Sequence, residues 1–266
     1  MRNVIKNFDA ETLDLTKITD WVKSLSLNNS PKEKILVILG ATATGKSSLA
    51  MKLAEIFATE IISADSMSVY KNFDVGTAKP NELEREKIKH HLINILDSDE
   101  KFSVAEFVRR ATPIVTEINL AGKIPIIAGG TGLYIQALLE GYKFSENCDV
   151  KSSEKIFAET GSLIYDALVI GLTMPRENLY RRIDERTEKM FDAGLVDEVK
   201  KLLSQGVNPN SPPMCSIGYK EVVQYLQGNL TLEETISKAK QATRNFAKRQ
   251  LTWYRRMKYI RWFNAD

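Results

Sequence analysis

The stretch ILVILGATATGKSSLA, from Ile35 to Ala50, leaves the chain little freedom in what it can build. ILVIL (35–39) is an unbroken run of branched apolar residues, the pattern of a strand buried on both faces. GATATGKS follows at once and fills every fixed position of G-x-x-x-x-G-K-[ST], ahead of a predicted helix. Strand, glycine loop and helix in that order imply a parallel sheet covered by helices. The loop also has a chemical meaning. Its glycines let the backbone of Gly40, Ala41, Thr42, Ala43, Thr44, Gly45, Lys46 and Ser47 wrap so that N–H groups converge on one anion site at a helix N-terminus. Lys46 adds a point charge to a bound phosphate chain, and the Ser47 hydroxyl is placed to ligate Mg²⁺. A chance glycine-rich turn would not arrive with both flanking elements in place.

Further apolar runs predict strands at EIIS (60–63), IPIIA (124–128), ALVIGL (167–172) and YIRWF (259–263). Helical patterns lie between them. Ser103 and Glu106 are spaced as a capping box opening a helix that stops at Gly122, and Pro113 should kink or break it. Pro175 and Gly194 bracket another helix. Thr231 and Glu234 open a long one reaching about Lys258. The fold class is therefore α/β, a P-loop NTPase-like parallel sheet flanked by helices with a mainly helical part over 173–258. Residues 1–34 read as an appendage and linker, with Leu15, Ile18, Val22 and Leu25 on one side of a short helix. Residues 35–266 form the main domain. At 266 residues and 43% hydrophobic, the chain has enough apolar material for one sizeable core.

Cys148 and Cys215 lie far apart and form no metal-binding pair. No apolar run has membrane-spanning length, and the first residues lack the apolar centre of a secretory signal. A cytoplasmic chain with no membrane partner is expected.

Asp65, after the second strand, should face the loop, because strand ends at the carboxyl edge of a parallel sheet line the ligand crevice. It could serve there as a metal ligand, substrate anchor or proton acceptor, or it could simply cap the next segment. GGTGLY follows the third strand, and its Thr131 hydroxyl can donate to an anion beside a helix start. No later strand ends in the acidic pattern with which nucleotide hydrolases hold Mg²⁺, so the phosphate chain need not belong to a nucleotide. The net charge is only +3, but the nine Lys and Arg residues from Lys238 to Arg261 have no Asp or Glu among them. That imbalance suits a polyanion, with Trp253 and Tyr254 available for stacking, or else it is a solvated helix face. Arg182 and Arg186 share a helix face from which either could reach a phosphate.

Taken in order, GATATGKSSLA, IISADSMSVYKNFDVGTAKP, HHLINILD, GKIPIIAGGTGLYIQALLEG, LYRRIDERTEKMFDAGLVDEV, IGYKEV and ATRNFAKRQLTWYRR resemble the tRNA dimethylallyltransferase (IPP transferase) family. The resemblance implies transfer of a dimethylallyl group from dimethylallyl diphosphate to the exocyclic amine of the adenosine 3′ of the anticodon, in tRNAs reading codons that begin with U. The loop would hold the diphosphate, with Mg²⁺ as cofactor and the tRNA anticodon stem-loop as partner. Asp65 would orient the amine and take its proton. Thr131, Lys46 and Arg186 would complete the catalytic set, and Thr42 would contact substrate. Contacts to tRNA would come from Asp65, Ser66, Met67 and Ser68, from Thr131, from Cys215, Ser216, Ile217, Gly218, Tyr219 and Lys220, and from Lys248, Arg249, Gln250, Leu251, Thr252, Trp253, Tyr254 and Arg255. A monomer is expected.

The chain departs from the family pattern between 141 and 167. The helical insertion that grips the anticodon stem is there reduced to about two dozen polar residues without an arginine-rich element. Cys215 stands where the family commonly has Gln. Three rivals follow: prenylation of free adenosine phosphates, a P-loop small-molecule kinase, and a non-catalytic RNA-binding remnant. The basic segment around KRQLTWYRR favours tRNA over a free nucleotide.

Overall fold

The structure, a computed structural model, describes residues 10–144 and 162–266. Cys148 and most of the reduced insertion therefore lie outside the described residues. In chain order the elements are β1 (Glu11–Thr12), α1 (Leu15–Leu27), β2 (Lys34–Gly40), α2 (Lys46–Ile56), β3 (Ile61–Ser63), α3 (Glu82–Lys87), β4 (His90–His91), α4 (Val104–Leu120), β5 (Ile126–Gly129), α5 (Gly132–Leu139), β6 (Asp166–Thr173), α6 (Arg176–Asp192), α7 (Leu195–Ser204), α8 (Tyr219–Leu226), α9 (Leu232–Tyr254) and β7 (Arg261–Asn264).

The strands form one parallel sheet in the order β1-β7-β6-β2-β5-β3-β4. β2 sits between β5 and β6, and the chain builds outward from it first on one side and then on the other. The crevice beyond its carboxyl end is thus the topological switch point where ligands bind. The apolar run of β2 is buried along its length because alternate side chains feed two different cores. Ile35, Val37 and Leu39 meet α4 and α5, whereas Leu36 and Ile38 meet α1 and α2. A third cluster joins Val69, Tyr70 and Phe73 to α7 and α8. A fourth packs α6 and α9 beneath Ala41 of the loop.

Two sequence expectations change here. Within the segment read as an appendage, residues 11–27 pack on the sheet. Ile18, Val22 and Leu25 are buried on the β2–β6 face, Trp21 meets Phe263 with ring centroids 5.8 Å apart, and β1 extends the sheet beside β7. Each of those three buried side chains, on the helix face expected from their spacing, contributes about 1.5–3 kcal/mol. Pro113 does not break α4. Phe107, Ala111, Val115 and Ile118 form one buried stripe through it, and that packing outweighs the lost backbone bond. The two-residue strands β1 and β4 are too short to show a period in sequence.

Candidate functional site

Three strand ends converge on the crevice. After β2, Gly40 (φ 151°) turns the chain where an added Cβ would lie 2.5 Å from the Leu172 carbonyl, so only glycine fits. Gly45 (φ 90°) then starts α2 from the left-handed region. The side chains of Ala41 and Thr44 point inward, the Thr44 hydroxyl donating to the Ala41 carbonyl at 2.8 Å. The loop therefore offers its backbone to a ligand. After β3, one oxygen of Asp65 accepts the N–H groups of Met67 (2.8 Å) and Ser68 (3.2 Å). This local turn fixes the carboxylate through one oxygen and leaves the second outside the turn. After β5, Thr131 is the N-cap of α5 without a side-chain cap bond. Its hydroxyl instead accepts from Ser66 N–H at 3.1 Å, tying the turn after β5 to the one after β3.

The crevice has two lobes that share Thr42, Asp65, Thr77, Arg186 and Phe246. One lobe, about 480 Å³, runs beside α2 past Lys46 and Ser47 towards Thr77 and Lys79. The other, about 420 Å³ and more apolar, is walled by Ser66, Met67, Thr131, Cys215, Ser216, Ile217, Lys220 and Arg249. Arg186 reaches the junction from α6 and donates to the Thr42 hydroxyl. Of the two arginines on that face, Arg186 lines both lobes and Arg182 lines neither.

The lobe beside α2 is electrically unbalanced in the free chain. Burial, and then the charge of Arg186, lower the Lys46 ammonium to about 7, with Asp65 pulling the other way. Arg186 is lowered by burial against the same opposing carboxylate. Lys46 meanwhile donates to the Ala41 carbonyl at 2.7 Å. Two crowded cations beside converging backbone N–H groups make a site for a strongly charged anion.

The other, more apolar lobe owes its shape to residues that sequence reading missed. Glu198, on α7, accepts the N–H groups of Asp74 (3.0 Å), Val75 (2.8 Å) and Gly76 (3.4 Å) and the hydroxyl of Tyr219. A Cβ on Gly76 would fall 2.3 Å from the Tyr219 ring. The strap over 74–79 is thus clamped to the helical layer, and Lys79 anchors its far end through Asp74 and Asn94. Only Gly76, within DVGTAKP, hinted at such a close approach.

Several expected tRNA contacts turn inward. Tyr219, Leu251 and Tyr254 are buried in the core and Gln250 is 6% exposed, because the inner faces of α8 and α9 carry them. Trp253 is half-buried with its ring against Gly132, so it packs on α5 rather than offering a free stacking face. Phe246 is 37% exposed at the lobe junction, with Arg249 over its ring at 5.7 Å. Lys248, Arg249 and Thr252 face solvent, as does Cys215. Not all the basic charge is free for a partner: Lys240 pairs with Glu188 and Arg244 with Asp184, joining α9 to α6.

Known proteins share this sequence pattern and fold. The IPP transferase family model matches residues 68–163 and 149–257. A tRNA dimethylallyltransferase of Carboxydothermus hydrogenoformans is 42% identical over 88% of this chain and 92% of its own length. The crystal structure of a tRNA isopentenylpyrophosphate transferase from Bacillus halodurans superposes with a TM-score of 0.78 at 38% identity, covering 88% of this chain and 90% of that one. A eukaryotic dimethylallyltransferase acting on tRNA gives 0.73 at 28% identity, over 88% of this chain and 74% of its own. With the family's sequence pattern, its fold and a two-lobed crevice at the switch point all in one molecule, the chain belongs to the IPP transferase family.

Proposed function

We propose that this chain transfers a dimethylallyl group from dimethylallyl diphosphate to the exocyclic amine of the adenosine 3′ of the anticodon in tRNAs reading codons that begin with U. The observation that carries the reading is the lobe junction. An anion cradle with Lys46 and Arg186 lies on one side of Asp65, and a more apolar lobe rimmed by 215–220 and Arg249 lies on the other. A donor and an acceptor bound from opposite sides would meet at the carboxylate.

The flow of electrons follows that geometry. The amine nitrogen attacks the allylic carbon, a C–N bond forms, the C–O bond to the diphosphate breaks and diphosphate leaves with the electron pair. The amine proton passes to Asp65, whose other oxygen is already pinned by Met67 and Ser68. Negative charge gathers on the leaving group, where the N–H groups of the loop, Lys46 and Arg186 stabilise it, while Thr131 helps position both substrates.

The donor set suits Mg²⁺. Among the described residues no group of three His, Cys, Asp or Glu could hold a metal by itself. Ser47 is exposed on the first turn of α2 and lines the donor lobe, and Mg²⁺ typically takes one or two protein ligands together with substrate phosphates and waters. When bound there, the ion would neutralise charge on the departing diphosphate.

On the acceptor side, the exposed residues Cys215, Lys248, Arg249 and Thr252 and the lobe-lining Ser66, Met67, Ser216, Ile217 and Lys220 supply the surface for the anticodon loop. Unpaired loop bases leave their stack at little cost. The family match breaks into two pieces that overlap at 149–163, which supports a reduced insertion. The alignment to the Carboxydothermus relative runs over 288 positions, more than this chain has residues, and so supports it too. No helix among the described residues is long and apolar enough to cross a membrane.

Radiolabelled transfer tests the reading, with unmodified tRNA and free AMP offered in parallel. Label on tRNA alone is expected. Label on AMP alone would make the acceptor a free nucleotide, and no label, with thermal stabilisation by ATP, would favour a kinase.

A further inference from the structure

The buried residues within KRQLTWYRR have a role that contact with tRNA does not explain. We infer that Gln250, supported by Tyr254, is a positioning residue of the donor site: it sets the diphosphate loop and the turn after β5 relative to each other. The inference rests on the diphosphate reading of the loop.

Gln250 uses both ends of its side-chain amide. Its Oε1 accepts the Thr42 N–H at 2.9 Å, and its Nε2 donates to the Gly130 carbonyl at 2.8 Å. A carboxylate can only accept and an ammonium can only donate, so neither could make this bridge. The fit at Gly130 is close: a Cβ there would lie 2.5 Å from Nε2. Tyr254, one helical turn on, donates its hydroxyl to the same carbonyl at 2.9 Å. Burial also pushes the Tyr254 phenol up, so it remains the donor.

The bridge reaches further than its two partners. Thr42 is held from α9 through its N–H and from α6 through its hydroxyl, which accepts from Arg186. Gly130 adjoins Thr131, whose hydroxyl holds Ser66 beside Asp65. Between them, Gly129 lies so close to Ala64 that a Cβ would stand 2.2 Å from its carbonyl oxygen. One face of α9 thereby fixes the ends of β2, β5 and β3 together. Because Gln250 occupies the Thr42 N–H, it also decides which loop N–H groups remain for the anion. The opposite face of the same helix presents Lys248, Arg249 and Thr252 to solvent. The segment is thus divided by face: cations outward for the acceptor, amide and phenol inward for the leaving-group site.

Gln250→Met tests this, since it keeps side-chain length while deleting both bonds. Two readouts separate the alternatives: thermal stabilisation by inorganic pyrophosphate with Mg²⁺, and tRNA affinity by filter binding. The variant should need about tenfold more pyrophosphate for the same stabilisation, and show a matching rise in KM for dimethylallyl diphosphate. Its tRNA affinity should stay within about twofold of the parent, and Lys248→Ala with Arg249→Ala should show the mirror pattern. Loss of tRNA affinity with pyrophosphate binding intact, or no change in either, would overturn the inference. Should Gln250→Met fail to fold, Tyr254→Phe must give the same split at smaller size. A parent protein that pyrophosphate does not stabilise would instead overturn the diphosphate reading itself.

Discussion

The loop after β2 and the turn over 215–220 face the same crevice but are held in different ways. Within the loop, Thr44 and Lys46 bond to the Ala41 carbonyl only three and five residues away, and the strand beneath lies at the centre of the sheet. The turn is held across the fold, by Tyr219 bonding to Glu198 and Gly76, the latter 143 residues distant. The loop's own turn forms wherever strand and helix form, and only Thr42 is held from afar, by Gln250 and Arg186. The turn over 215–220 exists only once α7, α8 and the strap have docked. Donor binding should therefore be insensitive to damage at the Glu198–Tyr219 clamp between α7 and α8, and acceptor binding should report it.

The severest test of that contrast lies between the two regions, at Asp65. Asp65→Asn should lose about 10²–10⁴-fold in turnover while both substrates still bind, since a proton acceptor contributes on that scale. Near-normal turnover would remove Asp65 from the base role. On the donor side, Lys46→Met should cost about 10²–10³-fold in turnover, the range for losing one charge-stabilising donor, with tRNA affinity unchanged. A variant that instead weakens tRNA binding would blur the boundary between the lobes.

Acceptor-side changes are smaller. Glu198→Gln puts an amide where backbone N–H groups expect an acceptor, and should cost about 1–3 kcal/mol in urea melts. KM for tRNA should rise while KM for dimethylallyl diphosphate holds, and equal rises in both would show that the clamp serves the whole crevice. Lys248→Ala with Arg249→Ala should have the mildest effect, weakening tRNA binding and reducing the slope of log affinity against log salt by about one for each phosphate no longer neutralised. An unchanged slope would mean that these cations belong to a solvated face.

The resemblance carried the fold and the donor chemistry because both are written in short segments. The glycine spacing, Asp65 after an apolar run and Thr131 after another each follow from a few neighbouring residues. Arg186 was harder: helix spacing offered Arg182 equally, the resemblance chose Arg186, and in the structure Arg186 lines both lobes while Arg182 lines neither. For KRQLTWYRR, composition suggested a surface, but helix docking turns Gln250, Leu251 and Tyr254 inward and leaves Lys248 and Arg249 outside. A run of charges reports net potential and is silent about which side of a helix is packed.

By itself, then, the sequence determined the parallel sheet, a strand buried on both faces and the glycine loop that follows it, because backbone period and glycine spacing are local properties. Tertiary structure alone decided the rest: α1 covers the sheet, Glu198 grips the strap, Gln250 bridges two loops, and the basic helix divides into an inner and an outer face. Each of these depends on residues far apart in the chain coming within hydrogen-bonding or van der Waals distance. No local pattern encodes such a meeting, since it is selected by the packing free energy of the whole core.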